Sequence, residues 1–323
     1  MSKPKVFITR RWPSSVEAKL KTLYDVTLNK DDRPLTADEF KFALQNYDAV
    51  CPTICDSFAA DVINVENKRC KILGNFGVGY NHIDINAAKD QGLMVTNTPG
   101  VLTHSTADIA MTLLLMSARR GAEGDRLVRS KQWQGWCPTQ MLGSDVTGAT
   151  LGLIGFGRIA QAMAHKAHHG FGMKIVYFKP SPADQAITDD LNAICCETIE
   201  DLLQRADFVS LHCPGGEATR HLINADMLKL MKPTAHLINT ARGDVVDSAA
   251  LIAALENNRI AGAGLDVYEG EPIVHEGFLA LDNVSLLPHL GSATLGTRTA
   301  MGEKVLANLA AFFAGEHLPD RVV

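Results

Sequence analysis

Ten residues constrain this chain more than any others: Leu151-Gly-Leu-Ile-Gly-Phe-Gly-Arg-Ile-Ala160. They read as a short apolar strand, a glycine turn and the first turn of a helix. Gly155, Gly157 and Ala160 fill the pattern G-x-G-x-x-G/A. The first glycine permits the tight turn, the second lets a pyrophosphate approach the backbone, and the small third residue lets helix and strand pack closely. The helix N-terminus adds unsatisfied N–H groups and a partial positive charge. Alone, the pattern is equally that of a plain tight turn. Its context decides: a helix over 161–169 follows, then a second strand over 174–178. The stretch predicts a dinucleotide site that opens a βαβ unit, with Gly155, Phe156, Gly157, Arg158 and Ile159 lining it.

The rest of the chain repeats that unit on both sides. Before residue 99, strands are predicted at 5–9, 47–52, 71–74 and 93–96, with helices at 13–23, 36–45 and 84–91. Thr36 and Glu39 form a capping box for the second helix. A helix at 105–119 is apolar on nearly every side, which predicts burial between layers or domains. Residues 121–148 read as irregular, with Trp133 and Trp136 as interface candidates. Strands at 150–155, 174–178, 207–212, 235–240, 261–267 and 283–287 follow, a spacing that matches a doubly wound dinucleotide domain. A final helix within 291–315 places Met301, Val305, Leu309 and Phe312 on one face and is expected to pack back on the first domain. The fold class is thus α/β: two Rossmann-like or flavodoxin-like, doubly wound parallel-sheet domains with a cleft between them. The expected division is 1–99 plus 288–323 as a discontinuous substrate-binding domain and 100–287 as the dinucleotide-binding domain.

Composition narrows the class. A chain of 323 residues suits two domains, and its net charge of −5 argues against a nucleic-acid or anionic-membrane surface. No apolar stretch is long enough to span a bilayer, and no secretory signal is read at the N-terminus, so the cytoplasm is the expected location. The seven cysteines do not form a disulfide framework, and Cys51 and Cys55 lack a second Cys/His pair at metal spacing. No metal is expected.

Three stretches after predicted strands carry reactive groups, where open α/β sheets bind ligands. In Asn239-Thr-Ala-Arg-Gly243, an arginine on a turn suits bidentate binding of a carboxylate, or else caps a helix. In Gly264-Leu-Asp-Val-Tyr-Glu-Gly-Glu-Pro272, the acids are Asp266, Glu269 and Glu271, of which Glu269 reads as merely solvated. In Leu287-Pro-His289-Leu-Gly-Ser292, the histidine is either a proton carrier or a satisfied core residue.

Taken together, GVGYNHID (77–84), TNTPG (96–100), the glycine motif, NTARG, GLDVYEGEP and LPHLGSAT resemble the D-isomer-specific 2-hydroxyacid dehydrogenases, in order and over essentially the whole chain. Within that family the compact length and the LPHLGSAT ending look most like glyoxylate/hydroxypyruvate reductases. The resemblance implies reduction of a small 2-keto acid to the D-2-hydroxy acid by hydride transfer. It makes Arg242 the carboxylate anchor, His289 the general acid/base and Glu271 its partner. It implies substrate contacts from Phe76, Val78 and Gly79. It puts Thr106, Cys213, Pro214, Thr219, Thr240, Ala241, Arg242, Asp266, His289 and Gly291 beside the cofactor, with Asp266 toward the nicotinamide carboxamide. A homodimer is implied as well. The alternatives are another specificity of the family (pyruvate, phenylpyruvate or 3-phosphoglycerate type), formate oxidation, which Glu271 argues against, or a non-enzymatic, nucleotide-sensing corepressor-like protein.

The second strand of a dinucleotide domain usually ends in an acid that binds the ribose hydroxyls, about 20 residues after the glycines. Here Lys179 stands at that place, followed by Ser181. With no carboxylate to repel a 2′-phosphate, the expected preference is NADP(H), with NAD(H) possible. Asp184 is a ribose ligand only if the loop folds back.

Overall fold

The computed structural model describes residues 2–181 and 183–323. The chain separates into two compact units, Met1–Leu102 with Ala293–Val323, and Thr103–Ser292.

The first unit runs β1 (Lys5–Ile8), α1 (Ser14–Leu23), β2 (Asp25–Leu28), α2 (Ala37–Asn46), β3 (Ala49–Cys51), α3 (Ala60–Ile63), β4 (Ile72–Gly74), α4 (Ile85–Asp90) and β5 (Met94–Thr96). Its parallel sheet has the order β2-β1-β3-β4-β5, the flavodoxin-like arrangement. Thr36 caps α2 as expected: its hydroxyl accepts from Glu39 N at 3.3 Å, and Glu39 Oε2 accepts from Thr36 N at 2.8 Å. The sequence reading missed β2 and α3. The first is a short edge strand with no buried residue and so no apolar run; the second is one turn. The C-terminal helix, Leu295–Ala314, buries Met301, Val305 and Leu309 in this unit. The tail then pairs with β5, Val95 N donating to Val323 O at 3.1 Å and Val322 N to Val95 O at 2.8 Å.

The second unit begins with α5 (Thr103–Ala118) and α6 (Gly121–Arg129). It continues through β6 (Thr150–Ile154), α7 (Arg158–Phe171), β7 (Lys174–Phe178), α8 (Gln185–Asp190), β8 (Ile194–Cys195), α9 (Ile199–Arg205) and β9 (Phe208–Leu211). It closes with α10 (Ala225–Leu230), β10 (His236–Asn239), α11 (Ser248–Glu256), β11 (Gly262–Leu265), α12 (Glu276–Leu279) and β12 (Val284–Leu286). The parallel sheet has the order β12-β11-β10-β9-β6-β7-β8. Numbered from β6, this is the Rossmann order with a seventh strand, and it reverses direction between β6 and β9. Side chains alternate across it. Leu151, Leu153, Ile175 and Ile238 pack with α5 and α7, while Ile154, Val209, Leu211 and Leu237 pack with α9, α10 and α11. The expected six strands become seven because β8 is an exposed two-residue edge.

Residues 121–129 correct the expectation of an irregular segment: they form α6. Two glycines lower its helix propensity, and it buries no residue. Ion pairs hold it instead, Arg120 to Glu123 at 2.7 Å, Arg126 to Asp282 at 2.8 Å and Arg129 to Asp125 at 2.8 Å. None of the described helices is long and apolar enough to cross a membrane.

His236 ties three segments of this unit together. It is 3% exposed, with Nδ1 2.8 Å from Ser117 Oγ and Nε2 2.9 Å from Ser144 Oγ. Burial pushes its pKa down to about 4 from 6.5. As the pH falls, the unfolded chain binds this proton first. The contribution is therefore complete above the unfolded value of 6.5 and declines until the pH reaches about 4. From pH 7 to pH 5 it falls by about 2 kcal/mol. His212, also pushed down to about 4 by burial, adds a slope of the same sign. Urea unfolding of His236→Asn should therefore lose about 2 kcal/mol less than the parent over that interval. Equal losses would show that His236 is not held neutral.

Candidate active site

Because the second sheet is parallel, the carboxyl ends of its strands share one edge, and the candidate residues emerge there. β6 ends at Ile154, whose register partner is Phe178 on β7. Gly155 then takes φ +86°. A Cβ there would lie 2.8 Å from both Cys213 N and the carbonyl carbon of His212, so only glycine lets the turn pass this closely to the end of β9. Gly157 begins α7 with no side-chain cap, and a Cβ on it would meet nothing within 4 Å. The first N–H groups of α7 thus have no side-chain cap, the arrangement that receives a phosphate. Arg158 is exposed beside them. Phe156 is buried and stacks on Tyr177 with ring centroids 4.1 Å apart, and Ile159 packs against the same core. Lys179 and Ser181 follow β7 at the same edge. Asp184 accepts from Ala186 N at 2.9 Å as the cap of α8, so its carboxylate is held at its own helix.

The arginine turn follows β10. Buried Asn239 ties it: its Oδ1 accepts from Ala241 N at 3.0 Å and its Nδ2 donates to Arg242 O at 2.8 Å. Arg242 Nη1 donates to Ala241 O at 2.6 Å. Burial lowers the pKa of the guanidinium, and the nearby Glu271 and Asp244 act in the opposite direction. The stem of Arg242 lies against the 213–216 loop, where a Cβ on Gly215 would be 2.6 Å from Arg242 Cγ. Burial pushes the Cys213 thiol up to about 11. Thr219 donates to Pro214 O at 2.7 Å, so its proton is spent within its own loop. Thr240 Oγ1 is buried with no partner among the described residues, a polar atom placed to meet a ligand at this edge.

Two carboxylates hold the histidine. Asp266, 1% exposed at the end of β11, accepts from Leu290 N at 2.6 Å and Gly291 N at 2.8 Å, while its carbonyl accepts from His289 N at 3.0 Å. Thr106 on α5 donates to Gly291 O at 3.1 Å. This clamp keeps His289 at φ +56°, in the left-handed region that non-glycine residues seldom occupy. Burial raises the pKa of Asp266, with the two N–H groups and His289 opposing. Glu271 Oε2 accepts from His289 Nδ1 at 2.8 Å, and its Oε1 from Tyr268 N at 2.9 Å. Burial alone would raise the Glu271 carboxyl, but the bond and charge of His289, the Tyr268 N–H and Arg242 outweigh it, and the net direction is down. The group is an ionised acceptor at neutral pH.

The first unit presents its own loop after β4. Phe76 packs on Trp12 with ring centroids 4.7 Å apart. Asn75 Nδ2 donates to Gly77 O at 3.1 Å and Gly79 O at 3.0 Å, and Asn97 Nδ2 to Val78 O at 2.9 Å. The carbonyls are thereby occupied. Among the described residues, no hydrogen bond uses the N–H of Val78 or Gly79.

Glu269 corrects the sequence reading. Its carboxylate is not merely solvated: it accepts from His221 Nε2 at 2.9 Å and Arg220 Nη2 at 3.2 Å. His221 N in turn donates to Asp244 O at 2.7 Å, so this pair braces the arginine turn against the segment that carries Glu271. Tyr268 was missed as well; its hydroxyl lies 2.8 Å from Leu287 O, just ahead of His289. The signal for both was present in the GLDVYEGEP stretch, but their partners are far away in sequence.

Residues 111–291 match the family model of the D-isomer-specific 2-hydroxyacid dehydrogenase NAD-binding domain. The chain is 44% identical over 324 residues to the glyoxylate reductase of Thermococcus onnurineus, covering 99% of this chain and 96% of that protein. It is 38% identical to the glycerate dehydrogenase of Hyphomicrobium methylovorum, covering 98% of each. Among solved structures it matches the NADPH-dependent glyoxylate/hydroxypyruvate reductase of Sinorhizobium meliloti, in complex with NADP and malonate. That match has a TM-score of 0.86 at 33% identity and covers 100% of this chain and 97% of that one.

Gly243 follows the arginine directly, and a Cβ on it would sit 1.8 Å from the carbonyl carbon of Tyr268. Backbone has to move to admit it. Gly243→Ala should cost about 3 kcal/mol or more, a Tm fall of about 6 °C or more. A thermal melt within about 2 °C of the parent would show that the turn and the Tyr268 segment are not in this close contact.

Proposed function

Because the chain belongs to the D-isomer-specific 2-hydroxyacid dehydrogenases, we propose that it reduces glyoxylate or hydroxypyruvate, with NADPH as the preferred hydride donor. The broader class rests on the family: an oxidoreductase that reduces small 2-keto acids with a nicotinamide cofactor. The narrower substrate is favoured by the names of the relatives. The observation that carries the chemistry is the 2.8 Å bond from His289 Nδ1 to Glu271, with the half-buried Arg242 electrostatically coupled to that carboxylate.

The residues at the glycine turn fit a dinucleotide: uncapped N–H groups at the start of α7, clear space over Gly157 and the orphaned Thr240 hydroxyl. When bound, the nicotinamide supplies the hydride. The protein does the rest. Arg242 holds the substrate carboxylate in two parallel hydrogen bonds and fixes which face of C2 is presented. Glu271 engages His289 at Nδ1, which leaves Nε2 as the atom that gives a proton to the carbonyl oxygen as it gains charge. In the reverse direction Nε2 takes the hydroxyl proton back. Asp266 fixes the turn that carries His289 and Gly291. Within the first unit, the two N–H groups at Val78 and Gly79, beside Phe76, are proposed as an anion-binding loop.

Lys179 and Ser181 are proposed to meet the 2′-phosphate of NADPH, since the end of β7 carries no acid. Trp133 and Trp136, 54% and 80% exposed, together with Val128 and Leu142, support pairing with a second copy through the 121–148 segment. The free cysteines suit a reducing cytoplasm.

Absorbance assays with glyoxylate, hydroxypyruvate and pyruvate, each with NADPH and NADH, test the reading directly. Turnover should be highest with the first two substrates and NADPH, and silence with every 2-keto acid would leave the corepressor-like alternative. His289→Ala and Arg242→Ala should each lower kcat/KM by about a hundredfold to ten-thousandfold with NADPH affinity largely intact. Lost cofactor affinity with turnover kept would contradict both roles. Lys179→Asp should move the ratio of cofactor efficiencies toward NADH, and an unchanged ratio would show that another residue reads the 2′ position.

A further inference from the structure

The sequence reading looked for metal ligands among the cysteines. The structure brings together a different set, far along α7 from the glycine turn. His165 and His169 stand at i and i+4 on α7, one above the other on a single face. Their ring centroids are 4.4 Å apart. Asp190, the last residue of α8, reaches the same spot, with Oδ2 3.3 Å from His169 Nε2. One donor atom from each of the three lies within 4.8 Å of the others.

We propose that His165, His169 and Asp190 form a surface site for a zinc-class divalent ion. In a tetrahedral zinc site, with bonds of about 2.0–2.2 Å, donor atoms are about 3.4 Å apart. The His169–Asp190 pair already has that spacing, and the remaining adjustment is rotation of side chains that are exposed. Two imidazoles select zinc, nickel or copper over magnesium or calcium, which require oxygen ligands. Three protein ligands leave the fourth position to water. The site lies in the last two turns of α7, where the carbonyl end of the helix favours positive charge. The cation nearest in sequence, Lys166, is engaged elsewhere, paired with Asp108 at 2.9 Å.

His169 is twelve residues from Gly157, about 18 Å along the helix, so an ion here takes no part in hydride transfer. It would clamp α8 to α7. The inference is independent of the proposed dehydrogenase chemistry, and its test reads binding rather than turnover.

The full-length protein, reduced and stripped with chelator, is titrated with zinc chloride by calorimetry and with cobalt(II) by absorption. His165→Ala/His169→Ala should bind one equivalent less than the parent, and Asp190→Asn should weaken that equivalent about tenfold or more. Cobalt in the parent should give d–d bands without the near-ultraviolet thiolate band that a cysteine site produces. All the substituted positions are exposed, so circular dichroism and the metal-free Tm should match the parent. Equal stoichiometry in the double variant, unchanged affinity in Asp190→Asn, a thiolate band on the lost equivalent, or no zinc uptake by the parent would each overturn the site.

Discussion

The carboxylate of Asp266 is the constraint on which the rest of the site depends. A buried carboxylate carries a large desolvation cost unless its oxygens are satisfied. Here the backbone N–H groups of Leu290 and Gly291 satisfy them, and the chain between β12 and the next turn is bent to bring them there. His289 is left in the left-handed region as a consequence. That conformation costs of order 1–3 kcal/mol and persists because three hydrogen bonds to one residue, together with Thr106 on Gly291 O, over-determine it. The histidine is therefore aimed by the backbone, with Glu271 bonded to its Nδ1.

The same economy of placement governs the other half of the edge. The strand order reverses between β6 and β9, and at that point Gly155 lets the turns after the two strands approach each other closely. Uncapped N–H groups, a buried hydroxyl at Thr240 and the Lys179 loop share that edge. Parallel pairing brings these groups, far apart in sequence, to one edge of one unit. Gly243 closes the arrangement: with no side chain, it lets the arginine turn press against the Tyr268 backbone, and the Glu269–His221 pair braces the two segments.

How much of this the sequence disclosed depended on how local each signal was. The Thr36–Glu39 box, the strand–turn–helix at 151–160 and the helix over 105–119 are set by neighbours a few residues away, and each was legible. So were the turns that carry Arg242, Glu271 and His289, because each follows a recognisable apolar strand. The strands β2 and β8 were not, since they are short edges whose pairing rather than burial defines them. Nor was α6, whose glycines argue against helix and whose hold is a set of ion pairs, one of them to Asp282 across the chain.

By itself, then, the order of residues determined the α/β class, the strand–glycine turn–helix at 151–160 and the strand-end turns that carry Arg242, Glu271 and His289, because periodicity, capping and turn chemistry act over a few residues. Only the tertiary structure decided that Glu269 is paired rather than solvated, that Asp266 holds the histidine turn, that Asp184 is committed to its own helix, and that Asp190 joins two histidines on α7. Each of those depends on a partner delivered from a distant strand or helix, and the physical reason is the same in every case. A polar side chain acquires its role from the donor or acceptor that packing places opposite it, and one-dimensional spacing carries no record of that partner.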